Sequence, residues 1–340
     1  MILLFASLSC LLLSIALTRA MIVYALSVNL MDQPNERSSH KVPTPRGGGV
    51  AFVMTYLIGL VSLHSMLGIG PSFTWGCTGA AVVVAVLGFI DDRRGLKART
   101  RFVGHLLAAC WFLYFLDTVP PVPIFGVTVN LGLTGFALAA LFLVWMINLF
   151  NFMDGIDGLA SMEAVTVTGF GALLWALRDP GGDWAAAVLL ACSVTGFLVW
   201  NFPPARIFMG DAGSGFLGLT VAAVALWCGR AHPEMFWSWF ILVGCFMVDA
   251  TTTLVRRVRR GERFSEAHRS HAYQYASRKL RSHRPVTLGV VAINTVWLLP
   301  IAAAVAFGHL DGLLGVVIAY APIVGLTFRF KAGDRSAQEL

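Results

Sequence analysis

Asn148, Asn151, Asp154 and Asp157 stand within ten residues of one another, interleaved with Gly155 and Gly158, and apolar segments flank them on both sides. Each flanking segment is long enough to cross a bilayer. A charge at the bilayer centre costs roughly 3 kcal/mol or more, so carboxylates beside such segments read as functional groups. Residues three apart share a side of a helical turn. A helical reading therefore puts Asn151, Asp154 and Asp157 on one stripe. Paired carboxylates on one face suit a hard divalent cation, and such a cation points to a phosphorylated substrate.

Four further polar constellations interrupt the apolar sequence. One runs from Asp32 to Lys41 and on through Thr44, Arg46 and the glycines 47–49. Its prolines shape a loop, and Arg46 and Lys41 suit a phosphate; the plainer reading is a basic turn. Asp91 and Asp92 are adjacent like charges at a span end, which need a cation or a donor such as Lys97; the plainer reading is a solvated helix end. Asn201 to Gly215 contains Arg206, Asp211, Gly213 and Ser214. A Gly/Ser-rich turn entering a helix points N–H groups at an anion, with Asp211 as a metal ligand or simply an N-cap. His268, Arg269, His271 and Gln274 could contact phosphate or sugar. Their spacing lacks the cysteine or carboxylate partner of a zinc site. Asp249 and Glu163 lie deeper and read as satisfied structural groups. His64, His105, His232 and His309 belong to no constellation.

The elements that must carry these residues are membrane helices. The chain has 340 residues, 57% hydrophobic and 13% charged, with mean hydropathy +0.74. A soluble domain carries about 25% charged residues. About eleven apolar segments are long enough to span, and one transmembrane domain, residues 1–340, accounts for the whole sequence. With the N-terminus outside, 22 of the 25 basic residues fall on inward loops and the inward C-terminus, as the positive-inside rule requires. That topology already explains the net charge of +7 and removes a nucleic-acid reading. It also puts all five constellations on the cytoplasmic side. The first apolar run has no basic residue before it and is followed by Arg19, which favours an uncleaved span. The outward stretch 120–130 reads as a short hairpin. Six scattered cysteines read as small core residues.

Taken in order, the five motifs resemble the polyprenyl-phosphate N-acetylhexosamine-1-phosphate transferase family (glycosyltransferase family 4). The resemblance runs from about Asp32 to Gln274. It implies a bacterial inner-membrane enzyme dependent on Mg²⁺, with Mn²⁺ as a substitute. Such an enzyme moves a sugar-1-phosphate from a UDP-N-acetyl-sugar to undecaprenyl phosphate and releases UMP. Lipid is its surrounding partner, and a homodimer is compatible with it. Catalytic roles are implied for Asp91, Asp92, Asp154, Asp157, His268 and His271. Substrate binding is implied for Thr44, Arg46, Lys97, Asn151, Asn201, Gly213, Ser214 and Arg269. Metal binding is implied for Asp211 and Asp154, with Asp211 the better ligand. His-Arg-Ser-His replaces the three-histidine cluster of the peptidoglycan branch. That departure argues against a MurNAc-pentapeptide substrate and looks more like O-antigen-initiating members, with a GlcNAc-, QuiNAc- or FucNAc-type sugar. Two other classes fit less well. A transporter would hold its acidic cluster near span centres and show inverted repeats. A CDP-alcohol phosphotransferase needs Asp-Gly-x-x-Ala-Arg, whereas Leu159-Ala160-Ser161 follows Gly158 here.

Overall fold

A backbone in hydrocarbon must satisfy its own polar groups, so apolar runs of this length become helices. The computed structural model describes residues 1–34, 42–262 and 269–334. Fourteen α-helices make up most of it. They are α1 (Ile2–Ser27), α2 (Gly49–Leu67), α3 (Pro71–Arg94), α4 (Ala98–Leu116), α5 (Gly132–Met153), α6 (Leu159–Arg178), α7 (Ala185–Asn201) and α8 (Asp211–Ala231). Then follow α9 (Pro233–Leu242), α10 (Gly244–Arg259), α11 (Ala272–Leu280), α12 (Arg284–Ile293), α13 (Leu299–Ala306) and α14 (Gly312–Arg329). A π-helical turn, Asn294–Leu298, joins α12 to α13.

Every expected segment has a helical counterpart. Among the described residues eight helical segments are long and apolar enough to span, and the α9–α10 pair, bent by 69°, makes a ninth. Two expected spans, α4 and α7, fall short of that standard. Helix α7 has only 17 residues, and α4 opens on Arg99 and Arg101. The expected hairpin is present as β3 (Val122–Ile124) paired antiparallel with β4 (Val127–Val129). Short strands β1 (Met31–Asp32) and β2 (Thr44–Pro45) pair in the same way.

Helix α8 is the axis of the bundle: nearly all its residues are buried. Helices α2, α3, α5 and α6 surround it. Its N-terminus, the C-termini of α3 and α5 and the start of α6 therefore meet at one end of the bundle, and the β3–β4 hairpin lies at the other.

Candidate active site

The stripe expected of Asn151, Asp154 and Asp157 does not form, because α5 stops at Met153. Residues 154–158 are a turn, and Gly158 (φ +71°) starts α6. The turn, rather than a helix face, brings the aspartates together. Three outside groups hold it. Asn201, buried at the end of α7, accepts from Gly158 N–H (3.2 Å) and Ser161 Oγ (2.9 Å) and donates to Ile207 O (3.0 Å). Asp157 Oδ2 accepts from Ala205 N–H (3.0 Å), and Thr287 Oγ1 donates to Asp157 O (2.9 Å). Asn201, expected to bind substrate, lines the cleft but spends its amide on tying the two loops together.

The turn before α8 is anchored by β-like pairing with the first loop. Gly48 N–H donates to Phe208 O (3.0 Å), Gly49 N–H to Met209 O (2.9 Å), and Phe208 N–H to Pro45 O (2.8 Å). The N–H groups at the head of α8 do not await an anion. Asp92 takes two of them, Asp211 N–H at 3.2 Å and Ala212 N–H at 3.4 Å. Gly210 (φ +79°) permits this approach, since a Cβ there would lie 2.7 Å from Asp92 Oδ2. Gly213 packs on the Gly49 backbone instead of facing a ligand. Ser214 is buried and accepts from Asn151 Nδ2 (3.3 Å), which also donates to Asp211 Oδ1 (2.8 Å).

These elements enclose a cleft of about 300 Å³ lined by Arg46, Asp92, Asn151, Asp154, Asp157 and Asp211, with Asp32, Gln274 and His283 at its margin. Arg46 lies 3.8 Å from Asp92. The Asp154 carboxylate has no hydrogen bond or ion pair among the described residues. Burial, and then the charges of Asp211, Asp92 and Asp157, push its pKa well above the ordinary carboxylate range.

A second, smaller cavity of about 40 Å³ lies across Asn151 and Asp211. Successive helical residues diverge by about 100°, so Asp91 faces this cavity while Asp92 faces the cleft. Asp91 accepts from Arg101 Nη1 (2.9 Å) and, in a short hydrogen bond, from Leu96 N–H. Arg101, not the exposed Lys97, is thus its compensating donor. Lys97, six residues on from Asp91, is nearer in sequence, but the turn at Gly95 places α4 alongside α3 and brings Arg101 back. His105, expected to stand apart, lines the same cavity one turn further along α4.

The histidine loop divides. His268 lies outside the described residues, as do Arg37 and Lys41. His271 is buried. Its Nδ1 lies 3.2 Å from Asp249 Oδ1, while Asp249 also accepts from Ala272 N–H (3.0 Å) and Tyr273 N–H (3.1 Å). His271 therefore anchors α11 and does not line the cleft; the loop's representative there is Gln274. Tyr273 Oη donates to Phe152 O (2.9 Å) and packs so close to Gly155 that a side chain there would collide with it. Neither Arg269 nor Thr44 lines the cleft; Thr44 Oγ1 donates to Val42 O (3.0 Å). Glu163 accepts from Asn294 Nδ2 (2.7 Å), deep in the bundle, as a structural group. Asp249 is structural in the same sense.

Sequence reasoning missed His283 and Arg101. His283 Nδ1 lies 3.2 Å from Asp157 Oδ1. The available signal was its place at an inward span end beside Pro285, where a lone histidine is easily read as loop.

The donor set suits a hard cation. No group of three or more His, Cys, Asp or Glu among the described residues could hold a metal by itself. Mg²⁺ does not require one, because it keeps several waters and takes one or two carboxylates plus substrate phosphates. Asp154, without a hydrogen-bonding partner among the described residues, and Asp211, oriented by Asn151, fit that role.

Residues 74–229 match the profile described as Glycosyl transferase family 4. The chain is 31% identical to decaprenyl-phosphate N-acetylglucosaminephosphotransferase of Mycolicibacterium smegmatis, over 96% of this chain and 90% of that one. It is 29% identical to a probable undecaprenyl-phosphate N-acetylglucosaminyl 1-phosphate transferase of Bacillus subtilis, over 80% and 76%. It is also 28% identical to phospho-N-acetylmuramoyl-pentapeptide-transferase of Listeria monocytogenes, over 68% and 73%.

Proposed function

Because this chain belongs to glycosyl transferase family 4, we propose that it transfers N-acetylglucosamine-1-phosphate from UDP-N-acetylglucosamine to a polyprenyl phosphate such as undecaprenyl phosphate at the cytoplasmic face of a bacterial inner membrane. The observation that carries the reading is the aspartate cleft. Its Asp154 carboxylate lacks a hydrogen-bonding partner among the described residues, and Asp92, Asp157 and Asp211 line the same space. Four such groups beside apolar spans call for a cation and the phosphates it would bind. The names of the relatives support the sugar and the lipid.

In this reading an oxygen of the lipid phosphate attacks the β-phosphorus of the nucleotide sugar. The bond from that phosphorus to the oxygen bridging the two phosphates breaks, and UMP leaves with that oxygen. Asp211 and Asp154 are the residues that would hold Mg²⁺, which would supply positive charge against the phosphates. Asn151 fixes the direction of the Asp211 carboxylate. Arg46 adds positive charge at the Asp92 side of the cleft. The small cavity of Asp91, Arg101 and His105 also borders Asp211, so it suits the acceptor phosphate. A lipid phosphate is mostly dianionic at neutral pH, its second pKa being about 6. Asp91 therefore serves by holding Arg101 in place more than by removing a proton. A third, largely apolar cavity of about 200 Å³ between α10, α11, α12 and α14, reaching Met153, has the chemistry of a prenyl chain.

The test is purified enzyme in detergent with undecaprenyl phosphate and a panel of UDP-GlcNAc, UDP-QuiNAc, UDP-FucNAc and UDP-MurNAc-pentapeptide, following UMP release and the mass of the lipid product. UDP-GlcNAc should give lipid-diphosphate-GlcNAc at the highest kcat/KM. Release of UMP from UDP-MurNAc-pentapeptide alone would contradict the sugar assignment.

A further inference from the structure

Five aspartates line the large cleft: Asp32, Asp92, Asp154, Asp157 and Asp211. A bound diphosphate needs N–H donors among them. Arg46 and His283 are the cleft-lining residues of the described chain whose side chains can carry positive charge. Arg46 stands on the Asp92 side. His283 stands on the Asp157 side, its side chain 17% exposed. It precedes α12, whose next residue, Arg284, stacks over Phe202 at 5.7 Å.

Its Nδ1 faces two groups of one residue, Asp157 Oδ1 at 3.2 Å and Asp157 N–H at 3.3 Å. A neutral ring with its proton on Nδ1 donates to Asp157 Oδ1 and leaves Nε2 an acceptor, whereas a ring that accepts from Asp157 N–H, or a cationic ring, carries a proton on Nε2 and can donate to a phosphate. No partner for Nε2 is found among the described residues. The small cavity of Asp91 and Arg101 does not include His283. Its ligand is therefore the one that fills the larger space.

Resting on the transferase reading, we infer that His283 is a donor-binding residue whose Nε2–H donates to the diphosphate of the nucleotide sugar, with Asp157 as the residue that orients the ring. Asp157 thereby acts on the substrate through His283 as well as through the charge it adds to the cleft.

The test uses the full-length enzyme and its variants His283→Ala, His283→Phe and His283→Gln, with KM for UDP-GlcNAc, KM for undecaprenyl phosphate, and inhibition constants for UDP and uridine. Loss of a hydrogen bond to a charged group weakens binding by roughly 10-fold or more. His283→Ala and His283→Phe should raise the donor KM and the UDP inhibition constant by about that factor. The acceptor KM and the uridine constant should stay unchanged. His283→Gln, which keeps an N–H at similar reach, should recover most of the loss. A purely packing role would instead be rescued by Phe and not by Gln, and that result overturns the inference. Equal donor KM in wild type and His283→Ala overturns it as well, while leaving the transferase reading intact. Wild-type enzyme that releases no UMP overturns both.

Discussion

Asp92 caps helix α8 by accepting the main-chain N–H groups of Asp211 and Ala212, at 3.2 and 3.4 Å. The carboxylate that a motif reading pairs with Asp91 is thus joined instead to the turn that carries Asp211, at the head of a helix 119 residues away. Removing a helix cap costs about 1 kcal/mol. Asp92→Ala should lose activity and also lower the Tm in detergent. Asp91→Asn should lose activity with a smaller change in Tm, because Asp91 caps no buried helix. Differential scanning fluorimetry beside UMP release separates the two, and equal Tm losses would contradict the cap.

Asp154 supplies a pH prediction. Its folded-state pKa is raised above the ordinary value of 3.8. Between those two values the folded protein binds more protons than the unfolded chain, so stability falls as pH rises through that window. Without cation, Tm should therefore climb as pH is lowered from the upper edge of the window. With saturating Mg²⁺ the dependence should flatten, because the cation takes the place of the proton. Asp154→Asn should be flat under both conditions. Thermal melts across a pH series with and without Mg²⁺ check the sign.

Asn201 ties the Asp157 turn to the loop before α8 with three hydrogen bonds, all buried. Each is worth about 1 kcal/mol, and a stranded partner costs more. Asn201→Ala should destabilise the protein by about 2–3 kcal/mol and lower kcat with it. Chemical denaturation in mixed micelles measures the loss. A variant of wild-type stability with a raised donor KM would return Asn201 to the role of a substrate contact.

Gly155 and Tyr273 are too close for a side chain between them. Gly155→Ala should cut activity about 100-fold by displacing the Asp154 turn or α11. Adding Tyr273→Phe, which removes the colliding hydroxyl, should recover part of it. Residues in contact couple, so the double variant should be better than the sum of the singles. Additive losses would show that the contact does not matter.

The sequence carried the apolar spans, the β3–β4 hairpin and the five polar constellations, because length, charge and turn residues are local properties. It also brought out Asp91, Asp92, Asn151, Asp154, Asp157 and Asp211, which the fold places around two adjoining cavities. What it could not carry was partnership. That α5 ends at Met153, that Arg101 rather than Lys97 meets Asp91, and that Asp92 closes the head of α8 all depend on helix packing. His271, given a catalytic role by the family resemblance, is held inside the protein by Asp249. His283 looked ordinary because its partner, Asp157, lies 126 residues away.

The central claim is that the sugar travels with its phosphate. UDP-GlcNAc labelled with ³²P at the β-phosphate, incubated with enzyme, Mg²⁺ and undecaprenyl phosphate, decides it. Label should appear in the lipid product with unlabelled UMP in equal amount, and neither should form with Asp211→Asn. Label left in released UDP, with the sugar alone on the lipid, would contradict it.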